Sequence, residues 1–140
     1  VYTAQKSYTE FFDKNFEMPL DYQHFFSSMK PYIKKQGYLL IHAGLNFKLA
    51  DPFEDEYAMM MIRDWYANYD GSKVDNHCIV HGHQNSFLSE STRYLQDSES
   101  KTIPLDTGCV YYGEKEGLGY LSAMRLEDRQ HFVQVNIEAF

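Results

Sequence analysis

The stretch YLLIHAG, residues 38–44, decides the fold together with a similar stretch, CIVHGH, residues 78–83. In each stretch a short apolar run leads into a histidine close to a glycine. Apolar runs of this length without polar alternation are typical of strands covered on both faces. The sequence therefore predicts two buried strands, each followed by a loop that carries His42 or His83.

Helices are predicted on either side of the first strand. Apolar residues at helical spacing predict a helix over residues 20–30, which Pro31 ends. Asp51 followed by Pro52 predicts the start of a second helix, with the aspartate as its cap.

The C-terminal part is predicted to be a long loop followed by a hairpin. Residues 85–101 are polar and rich in serine, which predicts a loop. Two strand-like runs, residues 118–126 and 131–137, are joined by a polar turn and predict a β-hairpin. This order of elements predicts an α/β or α+β fold, with residues 1–140 in a single domain.

Composition excludes several classes of function. The chain has 13 basic and 20 acidic side chains and a net charge of −7, so we expect no binding to a nucleic-acid duplex, which needs a basic face. No apolar run approaches the roughly 20 residues that span a bilayer, so we expect no membrane partner. Cys78 and Cys109 are too few for a disulfide framework and predict free thiols in the cytoplasm. The chain begins at Val1, and we expect it to be a portion of a longer protein.

Three predicted strand ends carry residues that suit a functional site. They are His42, His83 and Asp106, and each lies close to a glycine. Imidazole is the commonest ligand for borderline divalent metals, and a neighbouring glycine allows close approach of backbone and substrate. A lone histidine at a strand end is nevertheless more often structural, and Asp106 could equally form an Asx-turn.

Four segments follow one another along the chain: YLLIHAGL at 38–45, MIRD at 61–64, IVHGHQ at 79–84 and IPLDTGCVY at 103–111. Taken in this order, they resemble the C-terminal half of the calcineurin-like metallophosphoesterases. The nearest branch is that of the bacterial serine/threonine protein phosphatases and symmetrical dinucleoside tetraphosphatases. The resemblance extends from about residue 20 to the end of the chain.

The resemblance implies a fold and a set of site residues. The fold would be the C-terminal half of a four-layer β-sandwich flanked by helices. His42 and His83 would be ligands of one metal ion, and Arg63 would contact the phosphate of the substrate. The resemblance gives the Asp106 turn a structural role beneath the site. Asn46 and Gln84 are candidates for supporting contacts.

The resemblance also implies an activity, the hydrolysis of phosphate esters by a water that two divalent ions activate. The ions would be Mn, Fe, Zn or Co. The substrate would be a phosphoprotein or a dinucleoside polyphosphate, between which the sequence does not distinguish.

The motifs of the family's first half are absent from these 140 residues. These are Asp-x-His, Gly-Asp-x-x-Asp and Gly-Asn-His followed by an acid, and they supply the remaining ligands and the histidine that acts on the leaving group. We therefore assign no catalytic residue to this chain. We expect the chain alone to be inactive and to lose the metal pair, and the longer protein to be an active hydrolase. The alternatives are a non-catalytic binding domain that keeps half of the fold, and a homo-oligomer formed through the exposed half-sandwich.

Overall fold

The computed structural model describes residues 18–137. The chain divides into two units between Lys30 and Pro31. In the first unit, helix α1 spans Leu20–Ser27 and buries none of its side chains. It ends earlier than the predicted helix over residues 20–30, and the hydroxyl groups of Ser27 and Ser28 donate to backbone carbonyls of its last turn.

The second unit contains a mixed four-stranded sheet with the strand order β1-β2-β3-β4. The strands are β1 (Tyr32–Lys35), β2 (Tyr38–Ile41), β3 (Cys78–His81) and β4 (Thr102–Pro104). Strands β2, β3 and β4 are parallel, and β1 pairs antiparallel with β2. The two buried strands predicted from the sequence are confirmed as β2 and β3. Strand β1 was not predicted, because an edge strand with mostly exposed side chains carries no alternating apolar pattern.

The connection from β2 to β3 is built from short helical turns. The predicted helix start is a 3-10 helix, Pro52–Glu54, whose cap Asp51 accepts a hydrogen bond from the Phe53 amide at 2.9 Å. Helix α2 (Glu56–Met61) follows at once. Two further 3-10 helices, Tyr66–Asn68 and Gly71–Val74, lead into β3.

The prediction of a loop over residues 85–101 is wrong, because this segment contains helix α3 (Leu88–Gln96). Its buried side chains include Ser91 and Leu95, four residues apart on one face of the helix. Ser91 is fully buried, and its hydroxyl donates to the Pro104 carbonyl at 2.7 Å. A serine thus occupies a core position that the sequence pattern assigns to an apolar residue.

The predicted hairpin is confirmed as β5 (Tyr120–Met124) and β6 (His131–Val135), which pair antiparallel. A single parallel bridge between Gly108 and Tyr120 connects the hairpin to the chain that leaves β4. In β6, Phe132, Val133 and Val135 are all exposed.

Two buried clusters cover the two faces of the four-stranded sheet. Alternate residues of β2 and β3 contribute to different clusters, as a pleated strand requires. The first contains Leu39, Ile41, Leu45, Phe47, Met59, Trp65, Val74 and Ile79. The second contains Tyr38, Cys78, Val80, Leu95 and Ile103. The arrangement is therefore α+β, with helices packed on a mixed sheet and a separate hairpin. None of the helices within residues 18–137 has the length and apolar character needed to cross a membrane.

Candidate metal site at the strand ends

The three strand ends singled out from the sequence meet at one edge of the sheet. Strands β2, β3 and β4 are parallel, so their carboxyl ends lie side by side. The Gly82 amide donates to the His42 carbonyl at 2.8 Å, which ties the loop after β3 to the loop after β2. A cleft of about 700 Å³ opens here between the sheet and the hairpin, and His42, His83 and Asp106 all line it.

His42 and His83 face each other across this edge. Their ring centroids are 5.1 Å apart and the ring planes are inclined by 57°. Two imidazoles that bind one ion at a tetrahedral angle, with metal–nitrogen distances of about 2.0–2.1 Å, have centroids about 5.2 Å apart. The observed separation is therefore compatible with a shared ion.

One nitrogen of this pair has no partner within the protein. Nε2 of His83 is buried and makes no hydrogen bond with any residue of the described range 18–137. A buried imidazole nitrogen without a partner is unfavourable unless a ligand, an ion or water satisfies it. The pair thus offers two nitrogen donors of the kind that Mn, Fe, Zn and Co accept.

His83 sits at the centre of a tight turn. Its φ is 64°, and the Gln84 amide donates to the Gly82 carbonyl at 2.7 Å. A hydrogen bond from residue i+2 to residue i around a positive φ defines a γ-turn of the rare, strained kind. Such conformations cost about 1–3 kcal/mol each, cluster at functional sites and persist only where the surroundings enforce them.

The Asp106 carboxylate forms the Asx-turn that was one of its two predicted roles. Oδ1 accepts hydrogen bonds from the Gly108 amide at 2.9 Å and from the Asn85 side chain at 3.0 Å. The Asp106 backbone carbonyl accepts from the Ser86 amide at 2.9 Å. Asp106 therefore joins the end of β4 to the loop that follows His83.

His81 has a different environment from His83, although the two are separated by one residue. It is 2% exposed, and its Nε2 lies 2.9 Å from the Tyr66 hydroxyl. Burial lowers the pKa of His81 and so favours the neutral ring. Burial also raises the pKa of Tyr66 to about 12, so this phenol keeps its proton. This pairing could not be predicted, because no local pattern in the sequence links the two positions.

Arg63 does not line the cleft that contains the histidine pair. It lines a neighbouring cleft of about 570 Å³ together with Asn85 and Lys115. The Gln84 side chain holds the turn after Arg63. Its oxygen accepts from the Asp64 amide at 3.0 Å, and its nitrogen donates to the Asp64 carboxylate at 3.2 Å. Gln84 thus links the loop that carries His83 to the turn that carries Arg63.

The Asn46 side chain contacts the cap of a helix. Its side-chain amide donates to Asp55 at 3.0 Å. This hydrogen bond lowers the pKa of the Asp55 carboxyl, which caps helix α2 through the Ala58 amide. Asn46 therefore stabilises the start of a helix.

Within the described part of the chain, no group of three or more His, Cys, Asp or Glu side chains is arranged to hold a metal ion. The two imidazoles at the sheet edge share their cleft with Asp106 and Cys109. Both cysteines are free: Cys78 is buried in the second cluster, and Cys109 is half-buried and lines the cleft. Comparisons of the chain with models of known families, with curated proteins and with solved structures find no match.

Proposed function

We propose that this chain is part of a metal-dependent phosphoesterase in which His42 and His83 bind one divalent ion. The observation that carries the proposal is the histidine pair itself. Its centroids are 5.1 Å apart, and the buried Nε2 of His83 has no partner among the described residues. A buried nitrogen of a purely structural histidine would be satisfied by a protein group, as Nε2 of His81 is by Tyr66, whereas His42 is exposed and open to a ligand.

The proposed fold is the C-terminal half of a calcineurin-like sandwich. The parallel strands β2, β3 and β4, whose following loops carry His42, His83 and Asp106, and the β-hairpin after them support this assignment. The assignment of all 140 residues to one phosphoesterase domain remains part of the same proposal. So does a cytoplasmic location, which the two free cysteines favour.

The residues of this chain would have distinct tasks. The two imidazoles hold the ion, which when bound would polarise a phosphoryl oxygen and supply an activated water. The Arg63 guanidinium, in the adjoining cleft, provides a fork of donors that suits phosphate oxygens. Two neutral imidazoles leave the charge of a divalent ion uncompensated, so we propose that carboxylate ligands and the second ion's site come from outside residues 18–137.

Hydrolysis assays of the longer protein test this proposal. The substrates are p-nitrophenyl phosphate, diadenosine tetraphosphate and a phosphopeptide, each with added Mn²⁺. We expect Mn²⁺-dependent turnover that falls about a hundredfold in His42→Ala and in His83→Ala, as when a transition-state stabiliser is lost.

His77→Ala is the matched control, because His77 Nδ1 is held by the Val74 carbonyl and His77 does not line the cleft. The 140-residue chain alone should hydrolyse p-nitrophenyl phosphate at the background rate. A longer protein that stays inactive after reconstitution with Mn²⁺ would contradict the proposal and favour a binding domain.

A further inference from the structure

The strained γ-turn centred on His83 must be held in place by its surroundings. The hydrogen bonds that hold it meet at the Gly82 carbonyl. This carbonyl accepts from the Gln84 amide at 2.7 Å, which closes the turn. It also lies 3.2 Å from Nδ1 of His81. The peptide that joins Gly82 to His83 is therefore held by a side chain as well as by the backbone.

The hydrogen-bond partners of His81 fix its tautomer. A backbone carbonyl can only accept, so Nδ1 must carry the proton that is donated to Gly82. In a neutral ring Nε2 then has a lone pair, which accepts from the Tyr66 hydroxyl at 2.9 Å. Both contacts favour the tautomer with the proton on Nδ1. Tyr66 therefore keeps the Nδ1–H donor available to the Gly82 carbonyl.

The backbone around His81 is fixed from both sides. Its carbonyl accepts from the Leu105 amide at 2.8 Å, and the next amide, that of Gly82, donates to His42 at 2.8 Å. The His81 ring also packs edge-on against Trp65, with centroids 5.3 Å apart. The Nδ1–H donor of His81 is therefore held in a fixed position. The Gly82 carbonyl accepts a second hydrogen bond from it, in a defined direction.

We propose that His81, oriented by Tyr66, is a positioning residue that holds the His83 turn in its metal-binding conformation. This inference rests on the proposed function, because it assumes that His83 is a ligand. It extends that function by assigning a task to the first histidine of the HGH segment. His81 itself contacts neither the metal nor the substrate.

The test compares two isosteric replacements in the full 140-residue chain, with Zn²⁺ alone as the probe. His81→Asn keeps an N–H donor near the position of Nδ1, whereas His81→Leu has the same shape without the donor. Zn²⁺ affinity should stay within about threefold of the native value in His81→Asn and fall about tenfold in His81→Leu, since partners of ligands typically tune affinity by this order. If His81 only filled space in a buried site, His81→Leu would be tolerated better than His81→Asn. Equal Zn²⁺ affinities of the two variants, or a higher affinity in His81→Leu, would therefore overturn the proposal.

Hydrogen exchange of the Gln84 amide provides a second readout that needs no metal. We expect exchange about tenfold faster in His81→Leu and within about threefold of native in His81→Asn, because loss of the donor loosens the γ-turn. Unchanged exchange in His81→Leu would overturn the positioning role. If the native chain binds Zn²⁺ no more tightly than the His83→Ala variant does, the metal-binding proposal fails. The exchange rate of the Gln84 amide then decides by itself whether His81 holds the turn.

Tyr66→Phe covers the case in which the His81 variants do not fold. It removes only the hydroxyl, so the Nε2–H tautomer becomes accessible and the donor to Gly82 is lost part of the time. The ring ¹⁵N resonances of His81 should shift and Gln84 exchange should accelerate about threefold. Unaltered resonances and exchange in this variant would contradict the proposed tautomer.

Discussion

Gly44→Ala tests the packing that fixes the loop after β2. A Cβ atom at this position would overlap Nε1 of Trp65 and would lie 2.5 Å from two further atoms of the indole ring. Trp65 is 2% exposed, and its Nε1 donates to the Ala43 carbonyl at 3.2 Å. The indole is also stacked on Tyr66, with centroids 4.6 Å apart, so it cannot yield without disturbing the core.

The cost of this substitution can be worked from two contributions. Overpacking a filled core costs about 1–3 kcal/mol. Displacing the indole leaves a buried N–H without its acceptor, which costs about another 1–3 kcal/mol. We therefore expect Gly44→Ala to lower the free energy of unfolding by about 2–6 kcal/mol, a large part of the 5–15 kcal/mol that domains usually have.

Urea denaturation followed by circular dichroism measures this loss, and Gly82→Ala is the matched control. A Cβ at residue 82 would meet its nearest atoms at 3.6 Å, an ordinary contact, so its cost should stay below about 1 kcal/mol. In a Trp65→Leu background the extra cost of Gly44→Ala should fall below about 1 kcal/mol, because the clashing ring is gone. Equal stabilities of Gly44→Ala and Gly82→Ala would refute the steric argument.

Three further predictions concern other buried groups. Ser91→Ala should lower the free energy of unfolding by about 1–2 kcal/mol in urea denaturation, because the buried Pro104 carbonyl loses its donor. Burial lowers the pKa of His131 below its usual 6.5, so the unfolded chain takes up the proton first and stability should fall as pH drops below about 6.5. His131→Gln should weaken this dependence in melts between pH 8 and 5, and an unchanged slope would contradict the assignment. Burial raises the pKa of the Cys78 thiol, so a thiol reagent at neutral pH should label the half-buried Cys109 faster; faster labelling of Cys78 would show that the second cluster is open.

The sequence allowed the central strands and their loops to be predicted because burial on both faces leaves a local signature. Uninterrupted apolar runs marked β2 and β3, and a histidine after each run marked the sheet edge. The parallel pairing aligns Ile41 with His81, which is why the loops after the two strands meet. A pattern within each segment, combined with the geometry of a parallel sheet, was sufficient to anticipate this part of the site.

Other features depend on contacts between distant residues and could not be predicted. Helix α3 was missed because the buried Ser91 is satisfied by a carbonyl 13 residues away. Nothing local indicates that Gly44 lies against Trp65, or that Gln84 reaches Asp64. These contacts shape the surroundings of the histidine pair, so its detailed geometry required the structure.

The central claim is that His42 and His83 share one ion. The most direct measurement is a Zn²⁺ titration of the 140-residue chain, in which NMR follows the ring resonances of all its histidines. The account predicts weak binding in which the His42 and His83 signals shift together with a single apparent affinity, and loss of both shifts when either residue is replaced by alanine. Separate affinities for the two rings, or retention of one ring's shift after the other is replaced, would contradict a shared ion.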